Sequence, residues 1–178
     1  MLPRSFTTRI ERHHKLWLCD ALHLKPSTNG GIDMAGGNFR GELKAKLRKA
    51  SQSFSVATYQ VNDFEKANRE MGFMGRNVGK QCEELVLFFA FLYYDFNYSI
   101  DKLHDDEELG QYINNREAWL VPWEWVKGKL RPEEDRKYLC VTSNEIKRSF
   151  NFAFHPRPGG LIYASQDSVL ERRLFASS

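Results

Sequence analysis

The sequence predicts a mixed α/β domain, a central sheet flanked by helices, and three observations carry that prediction. Leu85 to Phe96 is apolar and aromatic but for Asp95, as a strand buried on both faces would be. Gly37-Asn38 stands between two short runs, and Gly-Asn in that setting reads as a tight hairpin turn. Apolar residues at helical spacing precede the hairpin and follow it.

The 178 residues suit one domain, 1–178, with a sizeable core. A hydrophobic content of 42% with 28% charged residues fits a soluble globular chain. The net charge of +3 creates no strong global field, so a polyanionic partner would need a local basic face. Cys19, Cys82 and Cys140 are odd in number and far apart, which argues against a zinc site or a disulfide scaffold. The charged opening segment lacks a signal core, and no run of about 18 apolar residues offers a membrane span. No membrane partner and a cytoplasmic location are therefore expected.

In order along the chain, Ser5 caps a first helix from Phe6 to about Leu24, with Ile10, Leu16, Trp17 and Leu22 on its apolar stripe. Pro26 to Gly30 ends it. The hairpin follows, and then Lys46 to Ser53 continues as a basic, small-polar stretch. Phe54 to Ala57 alternates as a strand, and Thr58 to about Met71 carries Tyr59, Val61, Phe64 and Ala67 as a second helix. Gly72 to Lys80 is glycine-rich without the spacing of a phosphate loop and reads as a connection. The central apolar strand comes next, then a polar excursion over Ile100–Glu117. His104 to Glu108 within it is an acidic cluster of the kind that is usually solvated. Ala118 to Pro122 is a short strand, Trp123 to Leu130 a short helix, and Tyr138 to Thr142 a strand. Ser143 or Asn144 caps a helix over Glu145–Phe150. Pro156 to Gly160 turns into a strand over Leu161–Ala164, and a last helix, capped by Ser165, ends near Phe175.

The chemistry concentrates at the hairpin. A two-residue turn at Gly37-Asn38 sets Met34 against Gly41 and Asp33 against Glu42; a turn one residue earlier sets Asp33 against Arg40. Either way Asp33, Glu42 and Lys44 share one face, because strand side chains alternate with period two. Two carboxylates facing each other about 5 Å apart repel. They are equally well placed to share a hard cation, since Mg²⁺ takes one or two protein carboxylates and fills its other positions with water and phosphate. A lysine beside such an ion can orient the attacking water. An acid-x-base triplet alone says little: Asp135-Arg136-Lys137 and Glu145-Ile146-Lys147 share the pattern. The turn-paired Asp33 is what sets Glu42-Leu43-Lys44 apart.

Four further groups are candidates. Glu11 on the first helix is placed to bring a third carboxylate, although a glutamate among arginines is ordinarily a surface residue. Gln60 sits at a helix start, where an amide can orient water or phosphate or simply serve the helix end. His13 and His14, adjacent, cannot chelate together and are expected to meet phosphate or solvent. Lys46, Arg48, Lys49 and Ser51, with Arg76 and Lys80, are the candidate nucleic-acid contacts.

A leading helix, a hairpin bearing Gly31-Ile32-Asp33 and Glu42-Leu43-Lys44, a strand, a helix and a central apolar strand together resemble the PD-(D/E)xK nuclease superfamily. That is the core of type II restriction endonucleases, junction resolvases and repair nucleases. The motif covers about fifteen residues and the element order roughly 6–126. Ile32 stands where the family often has proline. The resemblance implies a restriction endonuclease-like core and a Mg²⁺-dependent DNA endonuclease, with Mn²⁺ able to substitute. Asp33 and Glu42 would ligate the metal, with the Leu43 carbonyl as a further ligand. Lys44 would align the water, with Glu11 the acid from the first helix and Gln60 in support. Cleavage of double-stranded DNA by so small a chain implies a homodimer. The rival from another class is a non-catalytic nucleic-acid-binding or assembly module, in which the same residues form only a surface ion pair worth about 0–1 kcal/mol.

Overall fold

The hairpin expected around Gly37-Asn38 forms, and it lies near one edge of a seven-stranded sheet. The computed structural model describes residues 4–27, 31–48, 53–76, 85–97, 106–129, 138–166 and 169–175. The elements in chain order are α1 (Arg4–Leu22), β1 (Lys25–Pro26), β2 (Met34–Gly36), β3 (Phe39–Leu47), β4 (Ser53–Ala57), α2 (Thr58–Arg76) and β5 (Val86–Phe96). After these come α3 (Asp106–Gln111), β6 (Ile113–Pro122), α4 (Trp123–Lys129), β7 (Tyr138–Thr142) and α5 (Ser143–Ser149). The last three are β8 (Phe152–Arg157), β9 (Gly160–Ser165) and α6 (Val169–Leu174).

The sheet runs β1-β2-β3-β5-β6-β9-β8 and is mixed: β3–β5 and β6–β9 are parallel, the remaining pairs antiparallel. β4 and β7 pair with each other in a separate ribbon. β5 is central, and Phe88 to Tyr94 are buried along its length, which explains a run without alternation. Its even-numbered residues Phe88, Ala90 and Leu92 pack with Ile10, Leu18 and Leu22 of α1 and with Leu170 and Leu174 of α6. Its odd-numbered residues Phe89 and Phe91 pack with Phe54 and Val56 of β4, Val61 and Phe64 of α2, and Val126, Val141 and Ile146. Among the described residues, no helix is long and apolar enough to cross a membrane.

Several elements differ from the sequence reading. α1 ends at Leu22 rather than Leu24, where His23 turns left-handed (φ 57°), and Lys25–Pro26 becomes a two-residue edge strand on β2. α2 runs on through Arg76, so the glycines at 72 and 75 are helical and only 77–80 of that connection lie outside the described residues. The polar excursion is shorter than expected. Asp106–Gln111 is helical and β6 starts at Ile113, with a register shift opposite Tyr93–Asp95 at left-handed Asn115 (φ 54°). Pro156 and Arg157, expected in a turn, close β8 instead, and no strand was expected over 152–155. β8 is the outermost strand among the described residues, a position where a sheet tolerates Pro156. α5 is capped by Thr142, not Ser143 or Asn144, in a reciprocal capping box with Glu145. Glu145-Ile146-Lys147 is thereby accounted for structurally. Ser165 ends β9 and does not cap the last helix, which begins at Val169.

Candidate active site

The turn fixes the face on which the acids meet. Gly37 has φ +53° and Asn38 does not share that sign, the pattern of a type II′ hairpin with glycine first. The register is Gly36↔Phe39, Ala35↔Arg40, Met34↔Gly41, so of the two expected turns the one at Gly37-Asn38 forms. β2 begins at Met34, and Asp33 lies just before it. The Asp33 N–H donates to the Gly41 carbonyl at 3.0 Å, and Asp33 Oδ2 accepts from the Leu43 N–H at 2.8 Å. The side chain thus takes the position the next ladder residue would have held. Beyond it β3 continues with no strand partner on that side among the described residues. Because a strand residue's N–H and C=O point the same way, the Leu43 carbonyl faces the same open edge.

Gly41 is needed for this geometry. A Cβ there would lie 2.4 Å from the Phe88 ring, so the ring closes over β3 only because position 41 has no side chain.

Glu42 stands opposite Asp33, its side chain 14% exposed. Burial first, and then the neighbouring Asp33 carboxylate, which shares a hydrogen bond with it, push Glu42 up to about 9, against the pull of Lys44. The pair therefore holds a proton where a cation would serve the same electrostatic need. Lys44 Nζ lies 4.0 Å from Glu42 Oε1 and donates to Gln60 Oε1 at 2.7 Å. Gln60 Oε1 also accepts from the Ala57 N–H at 3.1 Å, the bond by which a third-position glutamine caps a helix N-terminus. The helix-start role expected of Gln60 is observed, and the same oxygen holds Lys44.

These groups line a cleft of about 850 Å³ between α1, the open edge of β3 and the start of α2. Glu11 is on its wall. Burial raises its pKa and Asp33 adds to the effect, while Lys44 and Lys15 oppose it. Glu11 faces the site without joining it: among the described residues no three His, Cys, Asp or Glu side chains converge on a metal position. Two carboxylates and a carbonyl remain, a donor set that suits a hard cation keeping several waters. The sequence reading missed Thr8, Arg12 and Lys15, which line the cleft from α1. Their spacing of four and three residues was the available signal, since it puts them on one helix face.

The candidate nucleic-acid contacts are scattered. Lys46 lies on β3 beyond Lys44, half-buried. Arg48 is tied to Asp95 at 2.9 Å, Glu117 at 3.1 Å and the Asn115 carbonyl at 3.0 Å. Arg76 ends α2. Lys49, Ser51 and Lys80, like His104, Asp105 and Asp135 to Lys137, lie outside the described residues. His14 is not a phosphate or solvent contact: it is fully buried against the Tyr94 ring, 4.1 Å between centroids, because α1 packs that face onto the sheet.

Compared with protein-family models, curated proteins and solved structures, the chain matches none. The functional reading therefore rests on the geometry of this cleft.

Proposed function

We propose that the chain is a metal-dependent phosphodiesterase, with Asp33, Glu42 and the Leu43 carbonyl as the cation site. Within that class the reading is narrower: a Mg²⁺-dependent DNA endonuclease with a PD-(D/E)xK, restriction endonuclease-like core, of the sequence-specific type II kind. The supporting observation is the Leu43 N–H bond to Asp33 at 2.8 Å, which brings Asp33 level with Glu42 while Lys44 stands 4.0 Å from Glu42. A surface ion pair would need neither a second acid opposite the first nor a glutamine holding the lysine.

A divalent cation bound there supplies Lewis-acid polarisation of a phosphoryl oxygen. The protein does the rest. Asp33 and Glu42 would hold it, and its charge would favour ionising both acids. Lys44, held by Gln60, orients the attacking water and offsets the negative charge gathering on phosphorus. The water oxygen forms the new bond to phosphorus, its proton passes to solvent, and the departing sugar oxygen is protonated from solvent. Arg9, Arg12 and Lys15 of α1 give the cleft cationic walls against which a phosphate backbone can approach two acids. Cutting both strands of a duplex takes two copies of the site, hence a homodimer.

Plasmid DNA incubated with the full chain tests this. Relaxed and linear forms are expected with Mg²⁺ or Mn²⁺, and none with EDTA or with Asp33→Asn. Binding without cleavage, unchanged in Asp33→Asn, favours a non-catalytic module.

A further inference from the structure

A second cleft, of about 610 Å³, opens where the start of β6 meets the β8–β9 turn. Four residues along β3 and three strand spacings put it on the order of 20 Å from Lys44. Arg116 lies at its floor, only 9% exposed. Its Nε donates to His14 Nδ1 at 3.1 Å, and its guanidinium carbon sits 5.3 Å from the Trp17 ring centre. Among the described residues no acidic side chain pairs with it: the adjacent Glu117 turns to Arg48 instead. His14 brings no compensating charge, since burial and Arg116 itself hold it neutral. Arg116 lines this cleft, and a Cβ on Gly159, which lines it too, would lie 3.5 Å from Arg116 Nη1, so that end of the guanidinium sits at the cleft wall.

A buried guanidinium without a counter-ion is costly, and buried charges are as a rule paired. Arg157 lines the same cleft, and it too lacks an acidic partner among the described residues. It donates from Nη1 to the Pro156 carbonyl at 2.9 Å and lies over the Phe175 ring. The cleft is built rather than incidental. Trp17 Nε1 clamps the turn by donating to the Pro158 carbonyl at 2.8 Å. Gly160 admits both walls, since a Cβ there would sit 2.7 Å from Trp17 and 2.8 Å from Arg116 Cβ.

We propose that this cleft binds a phosphomonoester dianion, with Arg116 as the buried anchor and Arg157 at the rim. Two unmatched guanidinium groups call for two negative charges, and a terminal phosphate carries nearly that at pH 7. Its three terminal oxygens can take a fork of N–H bonds from each arginine, and it brings nearly two charges where a carboxylate brings one. The site stands whether or not the Asp33–Glu42 cleft cleaves DNA.

The test follows the Arg116 Nε–H resonance in ¹H–¹⁵N spectra of the full chain, a local reporter because that proton is buried on His14. Inorganic phosphate and a nucleoside 5′-monophosphate are expected to shift it at matched ionic strength, and acetate is not. Arg116→Met should abolish phosphate binding, and Arg157→Gln should weaken it roughly tenfold, the loss of one charge-assisted contact. If Arg116→Met fails to fold, the wild-type resonance and Arg157→Gln decide. An oligonucleotide that shifts the signal only with a 5′-phosphate identifies a strand end as the ligand; a response to the mononucleotide alone identifies a small molecule. An unmoved resonance, an equal response to acetate, equal binding of both oligonucleotides, or wild-type affinity in Arg157→Gln overturns the proposal.

Discussion

Lys44 Nζ lies 2.7 Å from Gln60 Oε1, and the same oxygen accepts the Ala57 N–H at 3.1 Å. One amide oxygen therefore couples the start of α2 to the amine beside the two acids. Gln60→Ala should lose both bonds. Chemical denaturation should show a loss of about 0.5–2 kcal/mol, the range for a removed helix cap. Single-turnover cleavage should fall by about 10²-fold, the scale of a misplaced group, with DNA affinity little changed. A cap loss without a rate loss would show that Lys44 does not depend on Gln60.

Glu42 makes stability depend on pH in an unusual direction. Its folded pKa, about 9, lies above its ordinary 4.5, so the folded state binds more protons there than the unfolded state. Stability is then complete below about 4.5 and is lost as pH rises toward 9. His14 acts oppositely: burial and Arg116 hold it at about 3, so its contribution is lost as pH falls below 6.5. The two slopes oppose each other between 4.5 and 6.5, and above 6.5 only that of Glu42 remains. Thermal melts without metal should show Tm falling from pH 6.5 to 9. Glu42→Gln should flatten that slope and raise Tm at pH 8.5 while abolishing cleavage. A flat wild-type profile over this window would contradict the buried acid pair.

Divalent cations should reverse the same loss. On the proposed reading Mg²⁺ or Mn²⁺ binds the ionised pair, so its stabilisation should be larger at pH 8.5 than at pH 6 and disappear in Asp33→Asn. Differential scanning fluorimetry at matched ionic strength, with Na⁺ as the control, reads this directly.

Gly41→Ala should cost about 1–3 kcal/mol, as overpacking does, because the added carbon would lie 2.4 Å from the Phe88 ring. Relief would come from pushing β3 away from β5 at the residue before Glu42, so cleavage should fall as well. Gly37→Ala meets no atom within 4 Å and is strained only by its φ of +53°; it should lower stability while leaving the chemistry in place.

The hairpin and its register were legible because Gly37-Asn38 states its turn and period two does the rest. The central strand was legible because the aromatic density of Leu85–Phe96 favours a strand buried on both faces over a helix. What escaped depends on neighbours. β8 hides behind Pro156, acceptable because no strand among the described residues lies outside it, and the start of β6 hides behind Asn114-Asn115-Arg116, where one polar residue is buried on a histidine. Arg48 looked like part of a free basic run. Asp95 and Glu117, which hold it, are 47 and 69 residues away.

The central claim is that Asp33, Glu42 and the Leu43 carbonyl hold one divalent cation. A crystal grown with Mn²⁺, measured at the manganese absorption edge, tests it most directly. The account predicts an anomalous peak about 2.0–2.3 Å from an oxygen of each of the three, absent in Asp33→Asn. A peak elsewhere with this site empty, or an unchanged peak in the mutant, would contradict it.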